Sequence, residues 1–256
     1  TNLASTMHSI VSTVQPQENV KETALALADA ALMGARGNSG IIFAQFLYGF
    51  SKDIREQHTM NIREFAEYMR NASECAYYAL AKPKEGTIIT VIKDWSNYLT
   101  EACETADDLT TLLLNALTVA MESLKGTGKF IAAKAKTIVD AGAKGFVVFL
   151  EGMCEYFHSG EQSVNVANAE IVDSEWMGED NHEDITFRYC TEALLIGDDL
   201  QKNKLSSLIE TMGDCLVIAG SNKKMRLHIH TDEPWIVLEK VQTVGSVVYQ
   251  KVEDMV

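Results

Sequence analysis

Residues 20–50 read VKETALALADAALMGARGNSGIIFAQFLYGF. In the first part Ala24, Leu27, Ala28, Ala31 and Leu32 recur at i, i+3, i+4 and i+7, the spacing of one helix face. Arg36-Gly37-Asn38-Ser39-Gly40 interrupts that pattern, and Ile41 to Phe50 is then almost wholly apolar. A helix apolar on most faces must be enclosed by others. Working outward, Asn61-Ile62-Arg63-Glu64 forms a near capping box for a helix to about Leu80, and Lys82-Pro83-Lys84-Glu85-Gly86 breaks it. Further helices are expected over about 87–105, 108–125, 130–138 and 143–157. Their separators are Asp107-Asp108, Gly126-Thr127-Gly128 and Asp140-Ala141-Gly142. With the opening segment this makes about eight helices over 1–158, an all-α bundle or helical barrel.

The second half changes period. Between Glu170 and Asp184 lie seven acidic residues and no basic ones, so 159–184 reads as an acidic linker or exposed edge. Ile185 to Cys190, Leu216 to Ala219 and Met225 to His230 alternate like strands, and Val247-Val248-Tyr249 adds another. Helical patterns fit Leu200 to Met212 and Pro234 to Val244, the latter with proline in its first turn. Residues 185–256 are thus expected to form a smaller α+β domain, and the whole chain to be multidomain.

The chain has 256 residues, 46% hydrophobic and 23% charged, with net charge −14. That length builds a real core. No apolar run reaches the roughly 18 residues of a membrane span. Strong acidity repels phosphate backbones, so nucleic acid is excluded as a partner. The charge is uneven: residues 1–158 carry a net of −4 and residues 159–256 a net of −10. Five scattered cysteines point to a reducing, cytoplasmic setting rather than to disulfides. The sequence opens on Thr1-Asn2-Leu3, without an initiator Met, which reads as a trimmed or processed start.

Three glycine-bearing helix starts carry possible chemistry. Arg36-Gly37-Asn38-Ser39-Gly40 could cradle a phosphate on backbone amides at a helix N-terminus; it could equally be a plain turn with Ser39 as cap. Glu85-Gly86-Thr87 and Asp140-Ala141-Gly142-Ala143 read the same two ways. A ring of three helix N-termini around one pocket would suit a polyphosphate. Separately, His228-Ile229-His230 on a strand would put both imidazoles on one face, and Cys190 could add a thiolate. Cysteine with two histidines is a good zinc set; an exposed histidine pair beside an unrelated cysteine is the plainer alternative. Asp232 and Glu192 are nearby acids that could orient a ligating histidine or complete the shell. His8, His58, His158 and His182 stand isolated, and Cys75, Cys103 and Cys154 sit on helical patterns as core.

Taken in order, these motifs resemble a known family. Thr1-Asn2-Leu3, Ala35 to Gly40, Glu85-Gly86-Thr87-Ile88 and Val139 to Gly145 are similar to nucleotide-binding domains of the dihydroxyacetone kinase L type. Phe187 to Glu192, Gly213 to Val217 and Leu227 to Asp232 resemble the middle domain of bacterial fatty acid kinase A subunits. The same two-domain unit also occurs fused to a fatty-acid-binding domain of the DegV type. The resemblance implies an eight-helix barrel that binds ATP or ADP through two Mg2+ ions. Thr1, Asn2, Asn38, Ser39 and Gly40 would meet the phosphates, and Thr87, Ile88, Asp140 and Gly142 would line the nucleotide site. It implies a Zn2+ site from Cys190, His228 and His230 in a middle domain that also forms a homodimer.

The implied activity is transfer of the γ-phosphoryl group to a fatty acid carboxylate, feeding phospholipid synthesis, with a fatty-acid-binding protein or fused DegV-type domain presenting the acid. In this family an Asp-Gly-Asp-Thr-Gly segment precedes Thr-Asn, and its carboxylates hold the magnesium. With the sequence opening at Thr1 and closing at Val256, the expectation is a kinase fragment without those aspartates, inactive alone. Two other functions stay open: a non-catalytic nucleotide-sensing or dimerisation module with a zinc site, and a dihydroxyacetone-type kinase subunit.

Overall fold

Asn19 accepts a hydrogen bond from Lys21 N–H and starts the helix that the apolar spacing of residues 24–32 foretells. The computed structural model describes residues 2–131, 139–160 and 186–256. Thr1, most of the 159–184 segment and most of the expected helix at 130–138 lie outside the described residues. In chain order the first half forms α1 (Asn2–Thr13), α2 (Val20–Gly34), α3 (Gly37–Lys52), α4 (Ile62–Tyr77), α5 (Ile88–Ala102), α6 (Leu109–Ile131) and α7 (Ala141–Ser159). The second half forms β1 (Tyr189–Ile196), α8 (Lys202–Ile209), β2 (Asp214–Gly220), β3 (Lys224–Thr231), α9 (Pro234–Gln242) and β4 (Ser246–Asp254). None of the described helices is long and apolar enough to cross a membrane.

Helix α3 is the axis of the first half. Residues Ile41 to Leu47 are all buried, and Phe43 and Phe46 meet Trp95 of α5 and Phe146 of α7 in one aromatic cluster. Ring centroids there lie 5.6–6.4 Å apart, mostly edge to face, the arrangement that ring quadrupoles favour. The expected break at Gly126-Thr127-Gly128 does not occur, because α6 runs on to Ile131. Thr127 is buried; its hydroxyl donates to Leu124 O and accepts Asp140 N–H at 3.1 Å. That packing outweighs the helix penalty of two glycines. Helix α4 is capped by a true capping box, Asn61 with Glu64.

The four strands form one antiparallel sheet, ordered β2-β3-β1-β4. Strand β1 begins at Tyr189, with Cys190 as its second residue; Ile185, where a strand was expected to start, lies outside the described residues. Its central residues Glu192 to Leu195 are buried on both faces, which erases the alternation that marks a half-exposed strand. One face packs Ala193, Leu195, Ile218, Leu227 and Ile229 against α8 and α9. The other places Leu194, Val217 and Ala219 in the core shared with the helices. The segment just after α4 joins in: Ala81 N–H donates to Leu216 O, and Ile218 N–H donates to Ala79 O. The helical half and the sheet thus meet along a buried boundary.

Candidate functional site

Register decides what that boundary contains. On β1 and β3, Cys190 lies opposite His230, Glu192 opposite His228 and Leu194 opposite Arg226. Residues directly opposite share a face, and alternate residues follow them. Cys190, Glu192, His228, His230 and Arg226 therefore all stand on the face turned to the helices. The two imidazoles meet with Nε2 atoms 3.1 Å apart, and Cys190 Sγ lies 3.7 Å from His228 Nδ1. The ligating atoms of Cys190, His228 and His230 all lie within 4.8 Å of one another.

The other nitrogen of each histidine faces a carboxylate. His228 Nδ1 lies 3.6 Å from Glu192 Oε1, and His230 Nδ1 lies 3.4 Å from Asp214 Oδ1. A proton on each Nδ1 would face its carboxylate. Two Nε2 lone pairs are then left facing each other, an arrangement that is satisfied by a cation between them. Carboxylate behind histidine is also how metal sites fix their ligands. Burial, and next His228, push the His230 pKa down, keeping it a neutral ligand, against an upward pull from Asp214. Burial, helped by Glu192 and Glu253, pushes the Cys190 thiol up to about 12, so a thiolate there requires a cation. The residues present fit a zinc-type ion. Asp214, Cys215 and His230 form a second such group that sequence reasoning did not anticipate.

Of the two acids expected to orient a histidine, Glu192 does so and Asp232 does not. Asp232 accepts Arg188 N–H at 2.8 Å, and Asp214 takes its place. Glu192 is 3% exposed. Burial alone would raise its pKa, but hydrogen bonds from His228, Gly37 N–H and Arg226 hold it at about 2. Cys215 sits at φ 54, in the left-handed region disfavoured for a residue with Cβ, where the β2 register slips between Asp214 and Val217. Burial and Asp214 push its thiol up to about 11, while a hydrogen bond with Asn38 pulls it down.

Across the boundary lie the glycine turns. Helices α3, α5 and α7 start together. A Cβ on Gly142 would lie 2.9 Å from Ser39 Cβ, 3.3 Å from Asp140 Oδ1 and 3.5 Å from Ile88 Cβ. Asp140 caps α7 by accepting Ala143 N–H at 2.7 Å and also accepts from Ile88 N–H at the start of α5. Burial nevertheless raises its carboxyl pKa. Thr87 occupies the N-cap position of α5 without a side-chain cap; its hydroxyl donates to Lys84 O. Ser39 is likewise no cap, since α3 begins at Gly37. Asn38 Oδ1 is buried with no hydrogen-bond partner among the described residues. Asn2, Asn38, Ser39, Gly40, Ile88, Asp140 and Gly142 thus gather at converging helix starts, beside the Cys190–His228–His230 group. Thr1 lies outside the described residues.

Gly37 closes this gathering. Its φ is +55, and a Cβ there would collide with the Asn2 side-chain amide. Gly37→Ala is therefore expected to cost about 1–2 kcal/mol from the left-handed backbone alone. That lowers Tm by roughly 2–8 °C in a chain of this size, and a thermal melt checks it. An unchanged Tm would show that the turn relaxes freely.

Comparison with known proteins follows the same division. Residues 1–155 match the DAK2 domain, and residues 186–256 match the middle domain of fatty acid kinase A-like subunits. An uncharacterized protein of Staphylococcus epidermidis is 32% identical over 252 residues, covering 93% of this chain and 45% of that protein. An uncharacterized protein of Staphylococcus saprophyticus is 32% identical over 268 residues, 100% of this chain and 48% of its own length. One from Staphylococcus aureus is 32% identical over 267 residues, at 100% and 49%. The chain spans about half the length of the curated relatives it matches.

Proposed function

The chain belongs to the fatty acid kinase A subunit family, with a DAK2 domain followed by that family's middle domain, and on this premise we propose that it supplies phosphoryl transfer from ATP to a fatty acid carboxylate. The observation that carries the reading is the convergence of three helix N-termini, one of which, that of α3, bonds through Gly37 to Glu192 behind His228. Helix starts present unpaired amides and partial positive charge, which suit phosphate oxygens. Asn2, Asn38 and Ser39 contact the phosphates, with Gly40 and Gly142 allowing close approach. Thr87, Ile88 and Asp140 line the rest of the nucleotide site.

Magnesium, when bound, neutralises charge on the transferring group. Cys190, His228 and His230 would hold a zinc-type ion, which would supply Lewis acidity toward a carboxylate or phosphoryl oxygen. The bond between the γ-phosphorus and its bridging oxygen breaks, a carboxylate oxygen bonds to that phosphorus, and ADP leaves with an acyl phosphate as the second product. A fatty-acid-binding protein, or a fused domain of the DegV type, presents the acid. The protein works as a cytoplasmic homodimer joined through the middle domain and feeds phospholipid synthesis.

The test is acyl-phosphate formation, trapped as the hydroxamate, by the whole gene product with ATP, Mg2+ and a fatty-acid-loaded carrier. Asn38→Ala is expected to weaken nucleotide binding about 10–100-fold, because a hydrogen bond to a charged group contributes about 1.5–3 kcal/mol. Nucleotide binding without hydroxamate would overturn the kinase in favour of a sensing module. Turnover with dihydroxyacetone alone would reassign the acceptor.

A further inference from the structure

Helix α3 starts without a cap of its own: Arg36 holds the N-cap position and makes no side-chain bond to the helix. A free N–H at a helix start seeks an acceptor. Gly37 N–H finds one 155 residues downstream, donating to Glu192 Oε1 at 2.7 Å. That same oxygen faces His228 Nδ1 at 3.6 Å. The second carboxylate oxygen accepts from Arg226 Nη2 at 3.1 Å, and Arg226 Nη1 donates to Met33 O at 3.1 Å. A carboxylate thus sits at the N-terminus of α3 and a guanidinium at the C-terminal turn of α2. Both signs match the helix dipoles.

Arg226 and Glu192 are each 3% exposed. An apolar pair of similar size often serves stability as well as a buried ion pair, so stability does not by itself account for these charges. We propose that Glu192 is a positioning residue that ties the histidine group of the middle domain to the first amide of the α3 turn, so that loading a metal on one side is felt at Gly37 on the other. The inference rests on the reading of Cys190, His228 and His230 as a metal set. One carboxylate then fixes both the ring orientation of a ligating histidine and the N–H of the residue that opens the cradle. Binding at either side is reciprocally coupled to the other.

Cobalt(II) serves as the probe, because thiolate ligation gives a charge-transfer band and amide hydrogen exchange reports on residues 36–40 separately. In the wild-type chain, saturating cobalt is expected to slow exchange at Gly37 by on the order of ten-fold. The double variant Glu192→Leu with Arg226→Met removes both charges together and so keeps the fold. It should retain the band and lose the response at Gly37. Asp214→Asn frees the other histidine from its carboxylate and should weaken cobalt binding about 10–100-fold, yet keep the Gly37 response at saturation. A wild type with the band and an unresponsive Gly37 overturns this inference alone, as does an unchanged response in the double variant. A wild type without the band overturns the metal set and the inference with it.

Discussion

Glu192→Ala is expected to lower the unfolding free energy by about 3–5 kcal/mol, the cost of leaving one member of a buried ion pair alone. For a chain of this size that lowers Tm by roughly 6–20 °C. The cost has identifiable parts. Arg226 would keep its guanidinium at the boundary with Nη1 on Met33 O and the Tyr249 ring 4.8 Å away, but with no counter-charge. Its Nε already has no partner among the described residues. Gly37 N–H would lose its acceptor as well. Truncating both partners has a different result: Glu192→Leu with Arg226→Met removes the charges along with the need to solvate them, so the ion-pair part of the loss should be recovered while the unpaired Gly37 N–H and Met33 O keep stability somewhat below wild type. Urea or thermal unfolding of the single and double variants measures the contrast. A single-variant loss under about 1 kcal/mol would mean that the pair behaves like an exposed one and that the boundary is not dry.

How far the sequence led is visible at the same boundary. Residues 20–50 disclosed α2 and α3 because their periodicity records burial directly, and α3, apolar all round, is enclosed as its composition requires. His228 and His230 were legible for an equally local reason, since a strand must place alternate residues on one face. Glu192 could be named only as a candidate. Its bond to Gly37 spans 155 positions and arises from how the sheet docks on the helices, which no local spacing encodes. Asp214 was missed because its pairing with His230 depends on a slipped β2 register and on Cys215 at positive φ. The extension of α6 through two glycines was hidden likewise, since Thr127 is held by Asp140 from the start of another helix. In each case local chemistry read truly and tertiary packing decided what it was used for.

The second large effect concerns the metal. With free zinc at about a thousand times its dissociation constant, binding to the folded chain alone adds about 4 kcal/mol. Chelation should therefore lower Tm by roughly 8–16 °C. Cys190→Ala should abolish that difference, because two histidines without the thiolate leave only part of the ligand set. Elemental analysis of the purified proteins gives the stoichiometry, and equal zinc in wild type and Cys190→Ala would remove Cys190 from the set. Cys154 is buried in the helical core with its Sγ 3.5 Å from Leu113 O, far in role from this site, so Cys154→Ala should leave the zinc content unchanged. Asp214→Asn should fall between: an affinity about 10–100-fold weaker reduces the stabilisation by about 1.4–2.7 kcal/mol at fixed free zinc. This graded order, with loss of the thiolate above loss of the carboxylate behind His230 and both above a core cysteine, follows from geometry in which ligand and orienting carboxylate are separate. A helical-core variant that removed zinc as completely as Cys190→Ala would place the ion elsewhere.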